Sequence, residues 1–351
     1  MNRSDRSRTA RVHGAAAAPA RLLLLALAVS SAGCSGIQSA VNPYGPQAER
    51  IAWLWWLFFS VCTAVLLAVT AAVLLAAFRP GRRHVESVPP EGEPRKQRIV
   101  IAATILTVLI LVMFFAADLR VGTRMTAAPA AEARPVAVEV VGHQWWWEIQ
   151  YLDSSPDRSF RTANELRIPV GRPVVIQTTS RDVIHSFWVP NLHGKIDLIP
   201  GRVNTIWLQA DRPGVFRGQC AEFCGLQHAK MAFTVVAVPD AEFERWLQAA
   251  RRPAPPPRTP EARRGEQVFL QAQCSMCHTI RGTGAWGRVA PDLTRLAERR
   301  TIAAGTLPNT RGHLAGWILD PQQVKPGNFM PPTSLDPDSL HALLAYLETL
   351  Q

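Results

Sequence analysis

The sequence predicts a multidomain membrane protein: a two-helix transmembrane hairpin, then an all-β barrel, then an all-α domain. Three observations predict it. Two long apolar runs, Ile51 to Phe78 and Ile99 to Ala117, lie in the first third of the chain. Short runs rich in β-branched residues follow, divided by turn signals. Beyond a proline-rich stretch, apolar residues fall at helical spacing down to the C-terminus. At 351 residues the chain is long enough for several domains that each bury a core.

Residues 1–34 read as an export signal. Arg3, Arg6, Arg8, Arg11 and Arg21 precede the apolar run Leu22 to Val29 and the small residues Ser30 to Gly33. Cys34 stands where a lipoprotein signal places its lipidated cysteine, although Ser31 fills the position usually held by leucine. Plain signal cleavage is the alternative. The hairpin is assigned to residues 45–118, with spans at 51–78 and 99–117. The first span carries no charge and suffices to cross a bilayer with tilt. Trp53, Trp55 and Trp56 at its start suit an interfacial aromatic belt. Arg79, Arg82, Arg83, Arg95, Lys96 and Arg98 lie between the spans. The positive-inside rule puts that loop in the cytoplasm and everything after Asp118 outside. The expected location is a bacterial inner membrane, the later domains on its outer, periplasmic side.

Residues 130–250 read as the β domain. Its strand-like runs are Val136 to Val141, Val174 to Thr178, Thr205 to Leu208 and Phe233 to Val238, parted by Pro190-Asn191, Pro200-Gly201 and Pro213-Gly214. Such runs predict a sandwich or barrel. Asp240 to Ala250 reads as a short terminal helix, and residues 251–260 as a stiff proline-rich linker. Residues 261–351 read as helical, ending on Leu340, Leu343, Leu344 and Leu347 at helical spacing.

A net charge of +11 raises the question of nucleic acid. The basic residues are dispersed and several crowd beside apolar runs, so nucleic-acid binding is excluded on pattern. Of six cysteines, Cys220 with Cys224 and Cys274 with Cys277 form close pairs, each with a histidine just downstream. That layout points to metal or cofactor chemistry more than to a disulfide framework. Cys62, inside an apolar run, reads as a small buried side chain.

Cys224, His228 and Met231 share one short loop before a strand. A thiolate, an imidazole and a thioether are soft and borderline ligands that suit copper, with His185 the candidate for a second imidazole. Cys220 adds a second thiolate, so both sulfurs can bridge two copper ions. A Cys220–Cys224 disulfide and a zinc site are the alternatives. Both leave Met231 without a role.

Gly218-Gln-Cys-Ala-Glu-Phe-Cys-Gly-Leu-Gln-His-Ala-Lys-Met231 resembles the binuclear copper A loop of cytochrome c oxidase subunit II. His185-Ser-Phe-Trp-Val-Pro190, Lys195-Ile-Asp-Leu-Ile-Pro-Gly201 and Gly142-His-Gln-Trp-Trp-Trp-Glu148 are similar to that family's other signatures. The resemblance covers roughly residues 45–250. It implies a cupredoxin-like barrel whose two copper ions are held by His185, Cys220, the Glu222 carbonyl, Cys224, His228 and Met231. It further implies that the Glu222 side chain helps bind magnesium at the contact with subunit I, and that electrons are accepted through Trp145. Trp146 and Trp147 read as packing residues, and His143 and His193 as structural or surface histidines. Many members carry a carboxylate, linked to proton uptake, just before the second span. Arg98 stands there in this chain, so that role is not carried over.

Cys274-Ser-Met-Cys-His278 matches C-x-x-C-H: two thiols to hold one haem covalently and a histidine for its iron. The sixth iron ligand follows by elimination. Met276 lies within the attachment loop, which leaves Met330, before Pro331-Pro332, as the methionine after the motif. His313 and His341 are its competitors. Residues 261–351 resemble a class I cytochrome c, fused as in the caa3-type oxidases.

The expected function is therefore electron transfer in a respiratory haem-copper oxidase, a proton-translocating oxidoreductase. Electrons from cytochrome c or another donor would reach one covalent haem c, then copper A, then the oxygen-reducing subunit I, with membrane lipid and other oxidase subunits as partners. A copper A protein serving a nitrous oxide reductase is the alternative, which the membrane hairpin disfavours. A quinol-oxidase subunit would lack the copper ligands retained here, and a copper chaperone would have no use for haem.

Overall fold

A computed structural model describes residues 36–79, 94–126, 130 and 133–351. The export signal with Cys34, and most of the basic loop between the spans, lie outside the described residues.

Helices α1 (Pro46–Phe78) and α2 (Pro94–Thr126) begin before the apolar spans, where Gln47 to Arg50 and Arg95 to Arg98 are good helix formers, and α2 also continues past its span to Thr126. An 18-residue stretch of each has a mean hydropathy of 2.6 and 3.0 respectively. Apolar side chains stay exposed all around both, among them Leu66, Leu75, Ile105 and Leu109. A helix apolar on every face requires non-aqueous surroundings. The pair meets at Phe58 and Phe114, whose rings lie 4.2 Å apart. Cys62 differs from expectation: it is exposed on α1, since no protein core surrounds that helix.

Residues before α1 tie the hairpin to the barrel. Ile37 and Tyr44 exchange backbone hydrogen bonds with Arg217, Asn191 and Asp211, and Asn191 Nδ2 donates to the carbonyls of Gly36 and Asn42. Gly45 is required there, since a Cβ would stand 2.0 Å from the Gln209 carbonyl oxygen.

The barrel consists of two five-stranded sheets. Its strands are β1 (Val136–His143), β2 (Trp146–Tyr151), β3 (Phe160–Ala163), β4 (Glu165–Pro169), β5 (Val174–Ser180), β6 (His185–Trp188), β7 (Ile196–Leu198), β8 (Asn204–Leu208), β9 (Gly214–Cys220) and β10 (Ala232–Val238). The orders are β3-β2-β1-β5-β8 and β4-β10-β9-β6-β7. Pairings are antiparallel except β1 with β5 and β4 with β10. Alternate residues point inward, as the two-residue strand period requires. Val138, Val140, Ile149, Leu166, Ile168, Ile176, Phe187 and Phe233 form the core around a fully buried Trp147. Trp147 packs, as expected, and Trp146 stacks on His143 with centroids 4.3 Å apart.

Helix α3 (Asp240–Ala250) closes the barrel. The proline-rich segment after it is extended, and Ala254 donates its N–H to Arg281 of the following domain. That domain holds α4 (Pro260–Gln271), α5 (Cys274–Cys277), α6 (Arg311–Leu319), α7 (Pro321–Val324) and α8 (Pro337–Leu347). Thr259 and Asp336 cap α4 and α8 through their side chains. Where α4 meets α8, a Cβ on Gly265 would stand 1.9 Å from the Ala342 carbonyl oxygen. Phe269, Leu314, Ile318, Leu343, Leu344 and Leu347 form the core. The domain also carries two short hairpins, Thr279–Ile280 with Ala285–Trp286 and Thr301–Ile302 with Leu307–Pro308, which helical spacing alone did not reveal.

The helical domain docks on the barrel. Ala232 donates its N–H to the Ala304 carbonyl at 3.0 Å, and Arg300 donates its own to Glu165 at 3.0 Å.

Candidate functional site

Three strands and one loop converge at one end of the β4-β10-β9-β6-β7 sheet. Antiparallel pairing sets Phe187 of β6 opposite Cys220 at the end of β9, which brings His185 alongside the cysteine. The chain then loops through Glu222, Cys224 and His228 and returns as β10, with the Cys220 N–H donating to the Met231 carbonyl at 2.9 Å.

The donors meet in a small space. Cys220 Sγ lies 3.9 Å from His185 Nδ1, 3.2 Å from the Glu222 carbonyl oxygen and 3.7 Å from Cys224 Sγ. Cys224 Sγ lies 3.6 Å from His228 Nδ1 and 3.8 Å from Met231 Sδ. His185, Cys220, Cys224 and Met231 are all buried. The sulfur separation far exceeds the roughly 2.05 Å of a disulfide, so these are two free thiols. The zinc alternative leaves a buried thioether at the cluster unused, whereas soft donors of three kinds suit copper.

The ring orientations fit a metal. His185 Nε2 donates to Asp182 Oδ1 at 2.8 Å, which leaves Nδ1 facing the sulfurs as an acceptor. Burial works against a charged His185, yet the Asp182 and Cys220 hydrogen bonds win and raise its pKa. The hydrogen bond between the two cysteines holds Cys220 down to about 3, while the same bond and burial push Cys224 up.

Trp145 sits on the rim. Its Nε1–H donates to the Cys224 carbonyl at 2.9 Å, beside a second bond from Gln144 Nε2 at 2.9 Å. The Glu222 carboxylate points away from the sulfurs and pairs with Lys195 at 3.3 Å, which also reaches Asp197.

In the helical domain Cys274 and Cys277 bracket one turn of helix, half-buried and exposed respectively. His278 Nδ1 donates to the Pro291 carbonyl at 2.7 Å, which fixes the tautomer and leaves Nε2 free for iron. Burial lowers its pKa, so the ring is neutral and able to ligate. Met330 lies on a tied loop: its N–H donates to Asn328 Oδ1 at 2.8 Å and its carbonyl accepts from Gln322 Nε2 at 3.1 Å. No hydrogen bond joins His278 to Met330 among the described residues. His313 is engaged by Thr310 at the start of α6 and His341 is exposed on α8, which keeps both in capping and surface roles. The two thiols, the oriented imidazole and the tied thioether are the donor types a covalent haem requires.

Three participants were not read from the sequence. Asp182 orients His185 and was detectable as a carboxylate three positions before the histidine. Phe329 stacks on Trp145, and Lys325 donates to the Trp145 carbonyl. Neither had a signal, since each is brought there by domain docking.

Comparison with known proteins agrees with this construction. Residues 136–238 match the family model for the periplasmic domain of cytochrome c oxidase subunit II, and residues 262–351 match that for cytochrome c. Cytochrome c oxidase subunit 2 of Alkalihalophilus pseudofirmus is 35% identical over 332 residues, covering 91% of this chain and 93% of that one. Cytochrome c oxidase subunit 2 of Bacillus sp. (strain PS3) is 32% identical over 292 residues, covering 77% and 79%. Quinol oxidase subunit 2 of Bacillus anthracis is 28% identical over 242 residues, covering 67% and 81%. With its cupredoxin-like barrel, its cytochrome c domain and its apolar hairpin, the chain belongs to the cytochrome c oxidase subunit 2 family and is an electron-transfer subunit of a haem-copper oxidase.

Proposed function

We propose that this chain relays electrons from a donor such as cytochrome c, through its own haem c, to a binuclear copper A centre and on to the oxygen-reducing subunit I. The convergence of two thiols, two imidazoles and a thioether within 4 Å contacts at the docking face of the haem domain carries the reading. His185, Cys220, the Glu222 carbonyl, Cys224, His228 and Met231 would hold two copper ions. Cys274 and Cys277 would bind one haem, with His278 and Met330 on its iron. When bound, these groups would supply one-electron redox chemistry. The protein supplies the buried, oriented donors and packs the loop that precedes Met330 against the copper loop. The Glu222 carboxylate, half-exposed and sharing Lys195 with Asp197, would offer an oxygen to magnesium at the contact with subunit I.

The reading places a hairpin at 45–118, a copper domain at 130–250 and a haem domain at 261–351, joined by the 251–260 linker. It also places both later domains on the periplasmic face of an inner membrane, in contact with lipid and other oxidase subunits. Retention of both cysteines and both histidines favours it over a copper-free quinol-oxidase role. An optical spectrum and metal analysis of the purified chain test it: a c-type alpha band, near-infrared copper absorption and two coppers per haem are expected. Zinc in the thiol site, or one copper without the near-infrared band, overturns it.

A further inference from the structure

The relay needs a physical bridge between its two halves, and one loop of the haem domain supplies it. Residues 324–330, which end on Met330, lie over the copper loop and are pinned from both sides. Lys230 Nζ donates to the Val324 carbonyl at 2.5 Å, and Gln227 Nε2 donates to the Pro326 carbonyl at 2.6 Å. In the opposite direction Lys325 Nζ donates to the Trp145 carbonyl at 2.7 Å and, within its own domain, to the Ala303 carbonyl at 3.4 Å. Lys325 is only 3% exposed. Burying an ammonium among carbonyls is costly, so a lysine in that place is best explained by the geometry it fixes.

What Lys325 fixes is a ring pair. Phe329 lies over Trp145 with centroids 5.8 Å apart and planes within 10°. Phe329 is 75% exposed, so it is no core residue, while Trp145 beneath it is 6% exposed. The adjoining links are equally short. Phe329 is bonded in the chain to Met330, and the Trp145 indole N–H donates to the Cys224 carbonyl.

We propose that Phe329 is the contact through which the haem domain passes its electron to Trp145 and the copper loop, and that Lys325 is the positioning residue that holds the two rings together. The inference rests on the relay reading given above. One electron moves: the haem side is oxidised by one, the copper side is reduced by one, and no bond or proton is exchanged. Because its own domain covers Trp145, a separate carrier must give its electron to the haem domain and not to Trp145.

The test uses the full chain carrying both cofactors. Light-driven reduction of the haem, followed by the near-infrared copper band, gives the transfer rate. Phe329→Leu keeps an apolar side chain and removes the ring. It should slow transfer several-fold with haem potential, haem spectrum and copper content unchanged, and Phe329→Tyr should restore the rate. Peptide-level hydrogen exchange is a second readout that does not depend on turnover. Lys325→Gln should raise exchange across residues 142–147 and 324–330, and should make transfer sensitive to solvent viscosity. An unchanged rate in Phe329→Leu, with transfer intact in the parent chain, overturns the contact. Unchanged exchange in Lys325→Gln overturns the latch. No transfer in the parent chain itself overturns the relay, and the contact with it.

Discussion

The two redox regions of this chain hold their donors by different means. In the barrel, His185 and Cys220 are neighbours because β6 pairs with β9, and Met231 is returned to them by the ladder between β9 and β10. The proposed copper donors are therefore set by sheet register, and all but His228 and the Glu222 carbonyl belong to buried residues. In the haem domain the donors come from a one-turn helix and from a loop tied by its own side chains, far apart in sequence. A register-built site tolerates little change, since neighbouring backbone would have to move with it. A loop-built site can lose one donor and keep its fold. The difference predicts unequal consequences for equivalent substitutions.

Cys220→Ser should have the largest effect. It removes one of two thiolates at a buried cluster, so binuclear copper should be lost while the haem band stays. Metal analysis and near-infrared absorption check this, and two coppers with unchanged absorption would break the comparison. Met330→Ala should do less. Haem stays attached through Cys274 and Cys277, but the iron loses its thioether, the weak methionine–ferric band disappears and the potential falls. A drop on the order of 0.1 V is expected, part of the roughly 0.8 V range that axial ligation spans. A retained band and potential would remove Met330 from the site.

Trp145→Phe should do less again. It forfeits the indole bond to the Cys224 carbonyl, a net of about 1 kcal/mol, and keeps a ring for Phe329. Copper content should hold while transfer into copper slows several-fold, measured by rapid mixing. Unchanged transfer would show that Trp145 is only a packing residue. A further effect, on stability and not on transfer, concerns pH. Burial lowers His143 to about 4 from an ordinary value near 6.5. The unfolded chain therefore takes up a proton between those values that the folded chain does not. Stability should fall as pH drops through that window, by about 1–2 kcal/mol between pH 7 and pH 5. His143→Phe, which keeps the stack on Trp146, should flatten the fall in thermal midpoint.

Much of this architecture was legible in the residues, and the missed parts share a cause. Helix α3 ends where the apolar spacing and the proline run place it, and β1, β5, β8 and β10 follow their β-branched runs closely. The strands that went unread are β2, whose tryptophans read only as packing residues, the short β3, β4, β6 and β7, and β9, whose Gly214 and Gly218 weaken the strand signal. Cys220, Cys224, His228 and Met231 are proposed as copper donors from ligand softness within one loop, His185 is proposed as a second imidazole, and the family resemblance implies the full set. Asp182, three positions before His185, was legible but passed over, whereas Lys325 and Phe329 could not be read, because their roles arise from how finished elements meet. Lys325 and Trp145 are brought together by domain docking, which no local spacing encodes.

The central claim is that both carriers belong to one relay within one chain. Flash reduction of the haem in the purified full-length chain, monitored at the c-type alpha band and the near-infrared copper band, tests it most directly. The account predicts that haem oxidation and copper reduction proceed together, at one rate that does not depend on protein concentration. Haem reoxidation without copper reduction, or a rate that rises with concentration, would contradict it.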